Sequence, residues 1–107
     1  MSTVLAFDLG ASTGRAIRAD FDGKTLKYNE IHRFENVPTY DGNCLCWDFP
    51  YLLSEIKKAI DMCGDVDSLA FDTWGVDYGL LDENDKLIGL PTHYRDPRTD
   101  GIPNMIF

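Results

Sequence analysis

The sequence predicts an α/β fold with a mixed sheet, made of a three-stranded antiparallel meander, a helix and further strands. Three successive segments of apolar or alternating character precede residue 35, and tight-turn signals separate them. One apolar stripe with helical spacing follows, and after it comes an apolar run that can return as a parallel strand. Together these observations favour a sheet with both antiparallel and parallel neighbours.

Two strands and a polar turn are predicted at the start of the chain. Residues 3–9 (TVLAFDL) form a short apolar run that is typical of a buried strand. Residues 10–14 (GASTG) form a tight polar turn. In residues 15–21 the side chains alternate between two faces, which predicts a second strand.

A third strand completes the predicted meander. Asp22-Gly23 is a dipeptide favoured in two-residue hairpin loops, so the chain is expected to turn back and continue as a strand over residues 25–34. The alternation of that strand places four side chains on one face: Leu26, Tyr28, His32 and Phe34.

One helix is predicted in the middle of the chain. Residues 36–48 contain Pro38, Gly42 and two cysteines, and they predict a loop. The helix then spans residues 49–63, and Gly64 can end it in a left-handed conformation. Seven residues form its apolar stripe: Phe49, Leu52, Leu53, Ile56, Ala59, Ile60 and Cys63.

The remaining elements suggest a known architecture. Residues 66–73 form another apolar run and predict a strand. Residues 76–81 and 86–90 flank an acidic turn and predict a hairpin, whereas residues 91–99 (PTHYRDPRT) predict a polar, turn-rich segment. This order matches the ribonuclease-H-like half of the actin-type ATP-binding fold, and it differs from the alternating strands and helices of a Rossmann domain.

Composition limits the classes of function. The chain has 107 residues, 44% of them hydrophobic, and ten lysines and arginines against eighteen acids give a net charge of −8. Such a chain can pack a core, whereas nucleic acid or an anionic membrane would repel it. Three cysteines, no signal peptide and no long apolar run lead us to expect a cytoplasmic protein. The apolar residues 105–107 lead us to expect a longer parent chain.

The first candidate site is the Gly-rich turn after the first strand. Asp8 stands at the carboxyl end of that strand, and Gly10 permits close approach of a ligand to the backbone. Amides of the turn, with the hydroxyls of Ser12 and Thr13, can hold phosphate oxygens. Arg15 can neutralise phosphate charge, and the anionic Asp8 suits a place beside Mg²⁺. The alternative is an ordinary hairpin turn with a capping aspartate.

The second candidate site lies at the junction after the predicted strand of residues 66–73. Trp74 offers a flat apolar face on which a sugar can stack, and Gly75 would let a ligand reach backbone amides. Asp72 and Asp77 can accept hydrogen bonds from hydroxyl groups. The alternative is a core tryptophan at a bulge, with two aspartates whose partners lie in the turn.

Two further groups of residues carry weaker signals. Arg95 and Arg98 near Asp96 predict a surface ion pair, and such a pair contributes roughly 0–1 kcal/mol. The alternative is that these residues contact a ligand. Cys44 and Cys46 are close in sequence, but a closed zinc site needs four nitrogen or sulfur ligands, which the chain does not supply at suitable spacing.

Five segments carry a family resemblance. They are FDLGASTGR at 7–15, IHRFEN at 31–36, WDF at 47–49, FDTWGVDYGLLD at 71–82 and GLPTHYRDPRT at 89–99. In this order, and over nearly the whole chain, they resemble the N-terminal part of the FGGY family of carbohydrate kinases. The first segment alone indicates only an actin-like kinase. The last two are more specific and resemble the branch that phosphorylates L-rhamnulose.

The resemblance implies an enzyme of two ribonuclease-H-like domains, which transfers the γ-phosphate of ATP to the 1-hydroxyl of L-rhamnulose. Residues 1–107 would form the N-terminal part of the first domain, with Asp8 near Mg²⁺. Gly75 would contact the ketose, with Trp74 and Asp77 around it. The ATP phosphate loop would consist of Ala11, Ser12, Thr13, Gly14 and Arg15.

The same resemblance places the catalytic aspartate base beyond residue 107, together with the second domain that supplies the adenosine pocket. The partners would therefore be ATP, L-rhamnulose and the remainder of the kinase chain, and residues 1–107 alone are expected to have little or no kinase activity. The alternative is a non-catalytic nucleotide- or sugar-binding regulator with the same fold, because a fold does not determine a function. A third hypothesis is an acidic interaction domain without a ligand.

Overall fold

A computed structural model describes residues 1–106, and the chain forms two compact units. The first unit comprises Met1–Val37 and Pro50–Gly75, and the second comprises Pro38–Phe49 and Val76–Phe107. The strands are β1 (Ser2–Leu9), β2 (Thr13–Phe21), β3 (Leu26–Glu35), β4 (Thr39–Asp41), β5 (Cys44–Cys46) and β6 (Ser68–Asp72). The α-helices are α1 (Phe49–Met62) and α2 (Ile102–Ile106), and a short 3₁₀ helix spans Pro97–Thr99.

The first unit contains a four-stranded mixed sheet in the order β3-β2-β1-β6. Strands β1, β2 and β3 form an antiparallel meander, and β6 pairs parallel with β1. The predicted meander, helix and parallel strand are therefore confirmed. The α/β class with a mixed sheet is confirmed with them.

A bulge interrupts the pairing of β2 with β3. Ala16 pairs with His32. The next residue of β2, Ile17, pairs with Glu30 and not with Ile31. Ile31 is therefore the extra residue of the bulge, which reverses the alternation of β3 at that point.

The bulge corrects the predicted face of the third strand. Four side chains were expected on one face, but the pairing places His32 and Phe34 opposite to Leu26 and Tyr28. Phe34 is buried, whereas Leu26 and Tyr28 are exposed. The expectation was wrong because the alternation of side chains in the sequence was extended through residues 26–34 without a break, and the sequence carries no sign of the extra residue, Ile31, at the bulge.

The core of the first unit lies on the face of the sheet that carries Phe34. Its buried side chains from the strands are Leu5, Phe7, Leu9, Ala16 and Phe34. Helix α1 contributes Leu52 and Ala59, and Cys63 follows its last turn. The ring of Phe34 meets that of Tyr51 edge to face, with centroids 6.2 Å apart. The predicted helix is thus confirmed. Gly64, which was expected to end it in a left-handed conformation, lies two residues after its last residue and has a φ of 71°.

The second unit begins with a hairpin that the sequence analysis missed. Strands β4 and β5 pair antiparallel within the segment that was predicted to be a loop. The turn between them contains Gly42 at a φ of 63°, a conformation that suits glycine. Each strand has only three residues, so its pattern was too short to identify in the sequence.

The rest of the second unit is largely irregular. In place of the predicted hairpin of residues 76–90 there is one β-bridge, between Leu81 and Leu87. In the turn that joins these residues, the Asp82 carboxylate accepts hydrogen bonds from the backbone amides of Asn84 and Lys86. The turn-rich character of residues 91–99 is confirmed. Within residues 1–106, no helix has the length and apolar character required to cross a membrane.

Candidate functional site

The Gly-rich turn joins the carboxyl end of β1 to the start of β2. Asp8 and Arg15 are direct partners in the antiparallel pairing, and the guanidinium of Arg15 forms an ion pair with the Asp8 carboxylate. The carboxylate raises the pKa of Arg15, first by its hydrogen bond and then by its charge. Both side chains are 41% exposed, so an incoming anion or cation can compete for either partner.

Asn36, which the sequence did not single out, holds the turn in shape. Its side-chain amide donates to the carbonyl of Gly10 at 2.8 Å, and its backbone amide donates to the carbonyl of Ser12 at 2.9 Å. Asn36 is only 3% exposed. The carbonyls of Gly10 and Ser12 thus accept hydrogen bonds from Asn36, whereas the Ser12 side chain is exposed to solvent. The only signal for Asn36 was its place at the end of the IHRFEN segment.

Gly14 is required for packing. A Cβ atom on Gly14 would come within 2.1 Å of the Phe34 ring. The φ of Gly14 is not in the left-handed region, so glycine is needed here for the space beside the Phe34 ring and not for a left-handed backbone conformation. Glycine at this position allows the Phe34 ring to lie flat across the strand that leaves the turn.

Asp72 joins Asp8 at the same edge of the sheet. The two residues are register partners at the ends of the parallel strands β1 and β6. Mg²⁺ in phosphate-transfer sites is bound by one or two carboxylates together with phosphate oxygens and water. Residues 1–106 contain no group of three or more metal-ligating side chains. Two neighbouring carboxylates beside a Gly-rich turn fit a magnesium ion that arrives with a phosphate.

Trp74 and Gly75 follow β6 at the end of the first unit. Trp74 is half-buried, whereas Gly75 is exposed and a Cβ atom placed on it would have no atom within 4 Å. The backbone at Gly75 is therefore exposed to solvent, and its contact with a ligand stays a prediction. Asp77, the third residue of the expected sugar site, belongs to the second unit.

Asp77 organises the second unit. Its Oδ2 accepts hydrogen bonds from the indole Nε1 of Trp47 at 2.5 Å and from the backbone amide of Tyr94 at 3.2 Å. Asp77 therefore has structural partners, but they lie 30 and 17 residues away and not within the turn, as the alternative to a sugar contact had supposed. Asp77 also lines two neighbouring cavities, of about 170 Å³ and 220 Å³. It can therefore hold the fold and face a ligand at the same time.

The larger cavity is built beside an aromatic stack. The rings of Trp47 and His93 are stacked with centroids 4.0 Å apart, and Tyr94 stacks on His93 at 4.6 Å. Burial lowers the pKa of His93, against a smaller opposing effect of Asp77, so its ring is neutral at pH 7. Its Nδ1 accepts the backbone amide of Arg95 at 3.0 Å, which places the ring proton on Nε2. His93 lines the larger cavity together with six other residues: Val76, Asp77, Tyr94, Asp96, Arg98 and Thr99.

The predicted ion pair between Asp96 and the neighbouring arginines is wrong. Asp96 is buried, and its carboxylate accepts the backbone amides of Leu45 at 2.8 Å and Arg98 at 3.1 Å. In the part of the chain that the structure describes, Asp96 forms no ion pair with Arg95 or Arg98. Amide donors that are fixed in the backbone cost less conformational entropy than a long arginine side chain. Arg98 instead lines both cavities.

Comparison with known proteins connects this geometry to one group of enzymes. The chain is 46% identical over 104 residues to a rhamnulokinase of Enterobacter sp. (strain 638), 44% over 106 residues to one of Halalkalibacterium halodurans and 43% over 107 residues to one of Oceanobacillus iheyensis. The chain is a relative of the rhamnulokinases. These matches include 92%, 95% and 96% of this chain. The resemblance to carbohydrate kinases, and to their rhamnulose branch, is thereby confirmed.

The same rhamnulokinases are much longer than this chain. The matched residues span 21–23% of their length, so the chain corresponds to about a fifth of a rhamnulokinase. No protein-family model matches the chain. The relationship to rhamnulokinases therefore rests on the alignment of about one hundred residues.

Proposed function

We propose that the protein containing this chain is a carbohydrate kinase that uses ATP to phosphorylate L-rhamnulose at its 1-hydroxyl, in the cytoplasm. The observation that carries the proposal is the identity of 42–46% to curated rhamnulokinases along nearly the whole chain. Three free thiols accord with a reducing compartment. The ribonuclease-H-like fold is part of the proposal, and the order β3-β2-β1-β6 with an antiparallel meander and a parallel fourth strand supports it.

The Gly-rich turn is the proposed phosphate loop. Ala11 to Arg15 would surround the ATP phosphates, with backbone amides and the exposed Ser12 hydroxyl as donors. Arg15 is held by Asp8 in the structure described here, and both are partly exposed. A phosphate oxygen would compete for the guanidinium, which frees the Asp8 carboxylate to face a cation.

Asp8 and Asp72 are the proposed holders of Mg²⁺. They are register neighbours at one sheet edge, immediately before the phosphate loop and the Trp74-Gly75 junction. Bound there, the metal would supply charge neutralisation of the phosphates during phosphoryl transfer. Asp8 and Asp72 would set its position, and Arg15 would supply further positive charge.

Trp74, Gly75 and Asp77 are the proposed contacts of the ketose. Gly75 presents an open backbone, and Trp74 offers a partly exposed ring. Asp77 uses Oδ2 for Trp47 and Tyr94, which leaves Oδ1 as an acceptor for a sugar hydroxyl. The catalytic base is proposed to lie outside residues 1–107, because the resemblance assigns this role to a later aspartate. A base must approach the 1-hydroxyl of the ketose to within about 3 Å to remove its proton.

The test is a substrate comparison with the full-length protein. We expect ATP-dependent phosphorylation of L-rhamnulose, with a higher kcat/KM than for L-fuculose or D-xylulose, measured by coupled release of ADP and by mass analysis of the sugar phosphate. A preference for either other ketose would overturn the substrate assignment. Binding of ATP and ketose without turnover would instead favour the non-catalytic regulator.

A further inference from the structure

Two thiols of strand β5 lie next to each other. Cys44 and Cys46 are separated by one residue, so their side chains lie on the same side of the strand. Their Sγ atoms are 3.3 Å apart, and both cysteines are free. Cys46 is buried, whereas Cys44 is partly exposed and its Sγ lies 3.7 Å from the hydroxyl of Thr92. One thiol is therefore accessible to solvent and the other lies directly behind it.

We propose that Cys44 and Cys46 form an oxidisable dithiol, which closes to an intrastrand disulfide in the presence of a low-molecular-weight disulfide and thereby loosens the segment from His93 to Asp96. The Sγ–Sγ distance of 3.3 Å must shorten by somewhat more than ~1 Å to reach the length of a disulfide bond. A ring closed across one intervening residue is strained, and strained disulfides are reduced easily. The modification is therefore reversible.

The order of the two chemical steps follows from the environments of the thiols. Burial, and then the neighbouring Cys44 thiol, raise the pKa of Cys46 to about 11, so Cys46 is protonated at neutral pH. The more exposed Cys44 meets the small disulfide first. Its sulfur attacks one sulfur of that disulfide, and its proton passes to the other sulfur, which departs as a small thiol. Cys46 then attacks the Cys44 sulfur, its proton passes to the second departing sulfur, and the protein disulfide forms. Two protein thiols are oxidised and one small disulfide is reduced to two thiols.

Leu45 connects the dithiol to the wall of the larger cavity. It lies between the two cysteines, and both of its backbone polar groups bind the segment from His93 to Asp96. The Leu45 amide donates to Oδ1 of Asp96 at 2.8 Å, and the Leu45 carbonyl accepts the His93 amide at 2.9 Å. Drawing the two sulfurs together bends the backbone at Leu45, which disturbs both hydrogen bonds. His93, Tyr94 and Asp96 line the cavity of about 220 Å³, so oxidation changes that cavity.

The covalent step is tested by peptide mapping of the full-length protein after incubation with glutathione disulfide. Cleavage after Arg33 and Lys57 yields a peptide of residues 34–57 that contains Cys44 and Cys46 and no other cysteine. We expect this peptide to lose the mass of two hydrogen atoms and to regain it with dithiothreitol. Cys44→Ser and Cys46→Ser should each abolish the change, whereas Cys63→Ser, which alters a buried thiol in the first unit, should leave it intact.

The coupling is tested by amide hydrogen exchange of the oxidised and reduced protein. The amides of Leu45 and His93 should exchange about fivefold faster after oxidation, the factor expected for loss of one ordinary hydrogen bond. The Cys46→Ser protein should show no such increase under the same treatment. A stable glutathione adduct on Cys44 without ring closure, or a disulfide to Cys63, would overturn the dithiol. Ring closure with unchanged exchange at both amides would overturn the coupling. None of these outcomes depends on kinase activity.

Discussion

At the scale of the residue, the candidate phosphate loop depends on contacts from β3 and from the residue that follows it. Phe34 occupies the space above Gly14, and Asn36 binds the carbonyls of Gly10 and Ser12. Phe34 lies twenty positions after Gly14, and Asn36 lies 24 positions after Ser12 and 26 after Gly10. The shape of the turn is therefore a property of the sheet, and its own sequence is only part of the cause.

Gly14→Ala is expected to destabilise the protein by roughly 1–3 kcal/mol, because the new methyl group overlaps the Phe34 ring and the core must shift to admit it. Urea unfolding of the variant measures this loss. In the Phe34→Ala background the ring is absent, so adding Gly14→Ala should cost much less. Equal costs in the two backgrounds would show that the glycine is needed for another reason.

Asp8→Asn is expected to lower kcat/KM of the full-length protein in the proposed reaction by about a hundredfold or more, since one of the two carboxylates proposed for Mg²⁺ is lost. The requirement for magnesium should rise at the same time. Initial rates over a magnesium titration measure both effects. Asp20→Asn, at the far end of β2, is the matched control and should leave both values unchanged. A fall in stability without any change in the magnesium titration would assign Asp8 a structural role only.

At the scale of the element, α1 is joined to β3 by a polar network inside the first unit. Glu55 is buried on the helix, and its carboxylate binds Nε2 of His32 at 2.6 Å and Nζ of Lys58 at 3.0 Å. The hydrogen bond from His32 is the main cause that lowers the pKa of Glu55, and Lys58 adds to it. The network sits where the apolar stripe of the helix faces the sheet, so it also orients the two elements.

Glu55→Gln is expected to lower the free energy of unfolding at pH 7 by about 1–3 kcal/mol, since charge-assisted hydrogen bonds are lost from a buried site. The ordinary pKa of this carboxyl is 4.5, and the folded state lowers it. Its stabilisation is therefore complete above about pH 4.5 and disappears as the pH falls through the lowered value. Urea unfolding of both proteins between pH 7 and pH 3 should show the difference shrinking over that range.

The matched control for Glu55 is Glu30→Gln. Glu30 is exposed and binds Arg33 in a pair on the surface of β3, which contributes roughly 0–1 kcal/mol. A loss of stability for Glu55→Gln that is no larger than this, or one that does not depend on pH, would contradict the role assigned to the network.

At the scale of the whole molecule, the chain corresponds to about a fifth of the length of the rhamnulokinases it matches. Strand β6 forms one edge of the sheet, and its apolar side chains Leu69 and Phe71 are exposed even though Phe71 stacks on Phe7. An exposed strand edge with apolar side chains is a site at which further strands or other chains can pair.

Residues 1–107 alone are expected to yield no ATP-dependent phosphorylation of L-rhamnulose above background, whereas we expect the full-length protein to be active. Phosphoryl transfer requires a base within about 3 Å of the acceptor hydroxyl, and the resemblance assigns this role to a later aspartate. Coupled ADP release measures both proteins, and circular dichroism shows whether the short chain is folded. Product formed by the folded short chain would mean that its own carboxylates suffice for catalysis.

Local patterns in the sequence were enough for several features. The meander, α1 and β6 were predicted correctly, because each depends on a periodicity of side chains within about ten residues and on turn residues such as Asp22-Gly23. The Gly-rich turn after Asp8 and the kinship with carbohydrate kinases were also recognised. For these features the sequence determines the outcome, since the interactions involved lie close together along the chain.

Only the tertiary structure decided which residues meet. It placed Phe34 over Gly14 through a bulge at Ile31, bound Asp96 to the Leu45 amide rather than to an arginine, and set Asp8 beside Asp72 in register. Each of these contacts joins residues twenty or more positions apart. Such contacts depend on strand register and on the packing of whole elements, in which one inserted residue reverses a face, and no local pattern of side chains records that choice.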